Sequence, residues 1–219
     1  MSKNIYGSYE EQEEVEGKLN TSTEEEYYEE DLEKKHLYKE IEFAVDVEDS
    51  IVYIVGEIED FGLYDFMVRC RSIIRNRAEG DDSPINVVID SVGGDVYEMF
   101  GIIDYIESLE INSNIKVNTI CRGKAMSAAA MILACGTGKR LASKRSTIMI
   151  HEGSSMQAGK SSDLKAAHKY NSHLESMSNS ILGDKTNKDK KFWSEQSKTD
   201  LYLSAKDAQK LGVIDGIIN

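Results

Sequence analysis

Asn86-Val87-Val88-Ile89-Asp90-Ser91-Val92-Gly93-Gly94-Asp95 reads as a strand that runs into two glycines and then into a helix. Its first five residues, NVVID, are a continuous apolar run of strand length, as expected of a strand buried on both faces of a parallel sheet. Asp95 is placed to cap a helix over Val96–Leu109. Outward from this unit the apolar spacing alternates between strand and helix types. Before it, Ile51–Gly56 reads as a strand and Asp65–Arg77 as a helix, with Pro84 in the intervening loop 79–84. After it come a strand at Ile115–Cys121, a turn at Arg122–Lys124, a helix through Cys135 and a strand at Thr147–His151. A long polar helix follows over Asp163–Leu182, with Gly183 as its terminating glycine. A helix at Ala205–Leu211, Gly212 and a short strand at Val213–Ile218 complete the chain. The alternation predicts an α/β fold, a parallel sheet with helices on its faces.

The chain has 219 residues, and no repeat or linker divides positions 41–219, which are expected to form one domain. Twenty-six Lys and Arg against 39 Asp and Glu give a net charge of −13, which argues against nucleic acid or an anionic membrane as the main partner. Residues 1–35 carry twelve acids and four lysines, a net of −8, leaving −5 for the rest. Positions 1–40 therefore read as an acidic, disordered tail, since so charged a segment cannot bury enough apolar surface to order itself. A solvated spacer is the plain reading of it, and a gating or docking arm the functional one.

Cys70, Cys121 and Cys135 are odd in number and widely spaced, without a CxxC, which fits reduced thiols in a cytoplasmic protein. The acidic N-terminus has no apolar stretch of signal-peptide type. The longest apolar run, Ala125–Cys135, is about half of what spans a bilayer. Neither a cofactor nor a metal is called for, since Asp90, Asp95 and Asp104 do not make a metal set.

In α/β units chemistry collects where strands end and helices begin. Two such junctions stand out. Gly93-Gly94 lets a backbone approach closely, and Gly123-Lys124-Ala125-Met126-Ser127 puts a serine at the start of an apolar helix, where unpaired N–H groups favour negative charge. A serine there suits acyl transfer, with nearby amides as oxyanion donors. Each junction also has a bland reading, as a tight turn and as a helix cap.

Taken together, five signatures resemble the proteolytic subunit of the ATP-dependent Clp protease. They are S-x-G-G at 91–94, G-x-A-x-S at 123–127, G-x-G-K-R at 136–140, I-M-I-H at 148–151, and D-x-Y-L-S-A-x-x-A-x-x-x-G-x-I-D at 200–215. The resemblance runs from about Ile51 to the C-terminus and implies the Clp protease/crotonase-like fold, stacked βαβ units with a protruding handle helix at about 156–183. It implies Ser127 as nucleophile, His151 as base and Asp200 as orienting acid. The backbone amides of Gly94 and Ala128 would form the oxyanion hole, with the backbone of Gly93, Asp95 and Val96 holding an extended substrate. Without it, His151 reads equally as a core histidine and Asp200 as a cap or loop acid. Lys124, three residues before Ser127, leaves a Ser–Lys dyad open.

The implied partners are unfolded polypeptide substrates, identical subunits in a heptameric ring or double ring, and an ATP-driven Clp unfoldase or host Clp subunits. None of the departures from the family removes a triad member. Val92 stands where a proline is usual, Glu152-Gly153 where Gln-Pro is usual, and Met99 replaces a glycine. Asn86 and Val88 stand where tyrosines usually form the unfoldase cleft, and Thr199 replaces an arginine that joins rings. The leading expectation is an endopeptidase working through an acyl-enzyme. The alternatives are a virus-encoded relative that modulates a host complex or matures capsid proteins, and a non-catalytic subunit of a mixed ring.

Overall fold

The computed structural model describes residues 40–153 and 158–219, with Lys34 and Leu37 before them. Backbone contacts divide the chain after Glu42. In the first unit Lys34, Leu37 and 40–42 are helical; the remainder of the expected tail, and Met156 and Gln157 of the expected handle, lie outside the described residues.

The second unit, Phe43–Asn219, holds eight strands and six helices among its described residues. In chain order they are β1 (Val45–Asp46), β2 (Ile51–Ile58), α1 (Gly62–Asn76), β3 (Ile85–Gly94), α2 (Val96–Ser113), β4 (Val117–Met126) and α3 (Ala128–Ala134). Then follow β5 (Arg140–Ser143), β6 (Thr147–Ile150), α4 (Ser161–Lys185), α5 (Lys190–Gln196), β7 (Leu201–Ser204), α6 (Ala205–Leu211) and β8 (Gly216–Ile218). The main path of the sheet runs β1-β2-β3-β4-β5-β8, and along it the pairing is parallel except where β1 meets β2.

β4 forks the sheet. Its Thr119–Cys121 portion pairs with β5, and its Lys124–Met126 portion pairs with β6, which takes β7 antiparallel on its other side. The expected turn at Arg122–Lys124 is therefore strand. Its exposed, charged residues look like a turn in sequence, but the backbone continues through them to carry the second pairing. Likewise β3 extends through Gly93 and Gly94, and Gly94 still pairs with Ile58 of β2.

The core explains the apolar runs. Every residue of α3 is buried, and it packs on β3 and β4, where its four alanines allow close approach. Phe66, Ile73, Ile102 and Ile106 project from α1 and α2 onto the same core. Asp95 caps α2 as expected, accepting from the amides of Tyr97 and Glu98 at 2.7 and 3.0 Å.

The long helix differs from its expected end. It passes Gly183 and stops at Lys185. A Cβ on Gly183 would stand 2.9 Å from the backbone nitrogen of Lys190, so this glycine lets α5 start against the helix instead of terminating it. At 25 residues α4 is about 37 Å long, and its buried residues, Leu174, Asn179 and Leu182, all lie in its second half. The first half is a protruding arm.

Candidate active site

Strand register alone brings the distant positions together. Met126 pairs with Met149, so Ser127 and the end of β6 lie side by side, and the Ser127 amide donates to the Met149 carbonyl at 2.8 Å. Ile150 pairs antiparallel with Leu201, so His151 and Asp200 are the next residues past that pair. Ser91 pairs with Ala125, and Gly93 arrives beside Ser127 from the other neighbour.

The resulting geometry is specific. Nε2 of His151 and Oγ of Ser127 are 2.8 Å apart. Nδ1 of His151 stands 3.6 Å from Oδ1 of Asp200, close enough for electrostatic attraction but outside hydrogen-bond distance. Asp200 is exposed, whereas His151 is half-buried. Ser127 occupies the capping position of α3 with φ 53° and ψ −123°, and its side chain makes no cap hydrogen bond. The bland cap reading therefore does not describe it. Lys124 is engaged elsewhere: its Nζ lies 2.9 Å from Asp90, and that bond holds the Asp90 carboxyl below its usual value, against the effect of its partial burial. A Ser–Lys dyad is not formed.

The glycine pair is packed, not merely turned. A Cβ on Gly93 (φ 95°) would lie 2.5 Å from the Met126 carbonyl oxygen and 2.8 Å from Cβ of Ser127. One on Gly94 would lie 2.0 Å from the Ile58 carbonyl oxygen. The Gly93 amide donates to the buried Ser91 hydroxyl at 3.0 Å, and the Asp95 amide to Ile58 at 2.7 Å. These two amides serve the fold. Gly94 between them lines the cleft with Ser127 and Ala128, and the Ala128 and Val96 amides belong to first helical turns, where no intrahelical carbonyl reaches.

The cleft measures about 800 Å³. It is lined by Gly94–Tyr97, by Ser127, Ala128 and Met131, and by His151–Gly153 with one face of α4. Sequence reading missed that face, which comprises His168, Asn171, Ser172, Leu174, Glu175, Ser178, Asn179 and Leu182. Their spacing of three and four was visible, but a stripe this polar gives no sign of facing a cavity. Burial raises the Glu175 carboxyl, and the charge of Glu152 and a hydrogen bond to it raise it further, while Lys198 opposes them. Neither acid had been marked as a site residue.

The three cysteines are buried and have no part in the cleft. Burial pushes the thiols of Cys70 and Cys135 up to about 12, so neither supplies a thiolate nucleophile near neutral pH. Among the described residues no group of three or more His, Cys, Asp or Glu side chains could hold a metal ion. No helix among them is long and apolar enough to cross a membrane.

Comparison with known proteins gives one answer throughout. A family model described as Clp protease matches residues 35–219. The ATP-dependent Clp protease proteolytic subunit 2 of Frankia casuarinae is 31% identical over 173 residues, covering 78% of this chain and 76% of the relative. Subunit 3 of the same organism is 30% identical over 173 residues, 78% of each chain. Proteolytic subunit 1 of Prochlorococcus marinus is 34% identical over 143 residues, 65% of this chain and 71% of that one.

Proposed function

The chain belongs to the Clp protease family, and from that premise we propose that it is a serine endopeptidase whose nucleophile is Ser127. The observation that carries the proposal is the 2.8 Å contact between Ser127 Oγ and His151 Nε2 beside a glycine-lined cleft. A serine hydroxyl attacks only if a base removes its proton as the new bond forms. His151 is the histidine within reach of it. Ser127 Oγ adds to the scissile carbonyl carbon while its proton passes to Nε2.

The carbonyl oxygen gains the negative charge, for which the Gly94 and Ala128 amides lining the cleft are the proposed donors. Collapse expels the amine, which takes the proton from His151, and leaves an ester at Ser127. Water then attacks the ester, with His151 again as base, and frees the acid. Asp200 holds the protonated imidazole through its charge at 3.6 Å. Lining the cleft, the backbone of Gly94 and Val96 offers an edge for an extended peptide, while both backbone groups of Asp95 are held by the fold, so the substrate is unfolded polypeptide.

The exposed first half of α4 suits a contact with further copies of the chain, in a ring or double ring enclosing the cleft. The relatives are named as subunits of an ATP-dependent protease, which supports a working partnership with an ATP-driven unfoldase. Asn86 makes that partnership selective. It accepts a hydrogen bond from Asn118 at 2.9 Å, so a polar pair stands on the sheet face where the family resemblance expects an aromatic cleft.

A serine-directed fluorophosphonate, applied to the purified protein and to Ser127→Ala, tests the reaction, and light scattering tests the chamber. The proposal expects a labelled wild type, an unlabelled variant, and a seven- or fourteen-fold mass. An unlabelled wild-type assembly overturns the peptidase, and a monomer overturns the chamber.

A further inference from the structure

Glu152 and Glu175 come from separate elements, one from the segment just past His151 and the other from α4, yet they face the same cleft. Glu152 is also tied to a third cleft residue: its amide donates to the Ser197 carbonyl at 2.7 Å. Ser197 is 3% exposed, and its hydroxyl is buried without a hydrogen-bond partner. A buried hydroxyl without a partner forfeits a bond that water or a ligand would supply. Two carboxylates sharing a partly enclosed space also repel each other, and such a pair favours capture of a proton or a cation.

We propose that Glu152, Glu175 and Ser197 form a subsite that takes the cationic side chain of a lysine or arginine next to the scissile bond. This rests on the peptidase reading above and narrows its substrate class. A lysine ammonium carries three donors and no acceptor, which matches two carboxylates and a hydroxyl. Arginine offers a planar fork for the same set. The cation replaces the repulsion with attraction, whereas an aliphatic side chain leaves the two acids with only each other as partners. Discrimination then comes from both sides, attraction for one side chain and a penalty for the other. Lys198, His168 and the catalytic His151 are the nearby basic groups. Lys198 is exposed and already acts on Glu175, and His168 lines the cleft on α4, two turns before Glu175. They weaken the acidic field without removing it, since Asp95 adds a further carboxylate to the lining.

The test uses the full-length assembly and quenched peptides that differ only by lysine, arginine, norleucine or glutamate at the residues flanking the cleaved bond. Norleucine keeps the length of the lysine stem and lacks its charge. The expected kcat/KM for lysine and arginine is at least about tenfold above norleucine. Glu152→Gln and Glu175→Gln each reduce that ratio severalfold, and Glu175→Lys shifts preference toward glutamate. Because the ratio is taken within each variant, partial loss of assembly cancels. Equal rates for lysine and norleucine overturn the subsite, as does a ratio that neither glutamine substitution moves. Norleucine peptides cleaved by the wild type and not by Ser127→Ala, without a basic preference, sink the subsite and leave the peptidase standing. No cleavage of any peptide, with no fluorophosphonate labelling, overturns both.

Discussion

His151 sits asymmetrically between its two partners: its Nε2 is 2.8 Å from Ser127 Oγ, whereas its Nδ1 is 3.6 Å from Asp200 Oδ1. The base–nucleophile bond is formed, and the base–acid bond is loose, with the acid exposed. On the proposed mechanism Asp200 acts through charge more than through a fixed hydrogen bond, and its removal should cost less than that of the other two. Ser127→Ala or His151→Ala should lower kcat by about a million-fold, and Asp200→Asn by about a hundred-fold. Single-turnover hydrolysis of a peptide ester measures all three. An Asp200→Asn loss of about ten-thousand-fold would mean that the carboxylate closes fully on the imidazole during reaction.

Ser127 holds a backbone conformation that L-residues rarely adopt, φ 53° with ψ −123°. Strain of this kind costs about 1–3 kcal/mol, while a glycine in place of a side chain costs about 0.5–1 kcal/mol of chain entropy. Relief of strain wins. Ser127→Gly should be more stable than Ser127→Ala by about 1 kcal/mol, although both are inactive. That corresponds to a rise of about 2–4 °C in Tm for a domain of this size, measurable by calorimetry on the two variants side by side.

Gly93 carries the complementary constraint. Any side chain there collides with the backbone of Met126 and Ala128 and with Cβ of Ser127. Gly93→Ala must push the nucleophile or the β3 backbone aside, at φ 95° where alanine is itself strained. A displacement of about 1 Å at reacting groups costs about a hundred-fold in rate. The fluorophosphonate labelling rate should fall by that order while circular dichroism stays native. Normal labelling would mean that the β3 edge yields freely.

These constraints also explain what the sequence disclosed and what it hid. The apolar run 86–90 announced β3, and the helix start at Asp95 was legible because a carboxylate cap is a local device. His151 stood at the end of a strand, and Ser127 at the start of an apolar helix, that periodicity could find. The fork in β4 was not legible, because Arg122 and Gly123 look like a turn and only pairing with β6 makes them strand. β5 (Arg140–Ser143) and β7 (Leu201–Ser204) are four-residue strands too short to show a period. The Glu152–Glu175 pairing depends on how α4 leans over the cleft, and 23 residues of separation carry no trace of it. Gly183 misled for the same reason: its role is a contact with Lys190, not a local conformation.

Arg140 joins parts of the fold that are remote in sequence, and its partner Asp215 gives it a pH dependence. The guanidinium donates to both oxygens of Asp215, and its Nη1 also donates to the Lys185 carbonyl at 2.6 Å, tying β5 and the segment before β8 to the end of α4. Burial alone would raise the Asp215 carboxyl. The hydrogen bonds from Arg140 outweigh that and hold it below its usual value of 3.8. A carboxyl lowered by folding contributes stability that is fully present above its unfolded value. The contribution declines as pH falls from about 4 toward the lowered value and is absent below it. Asp215→Asn should therefore cost about 1 kcal/mol at pH 7, a modest figure because the carboxylate is nearly half exposed. Arg140→Ala should cost more, about 2 kcal/mol, since it also strips the Lys185 carbonyl of its donor. Urea midpoints taken from pH 7 down to pH 3 should converge for the wild type and Asp215→Asn as the acid loses its charge. A gap undiminished at pH 3 would assign the stabilisation to hydrogen bonds that the uncharged acid keeps instead of to the ion pair.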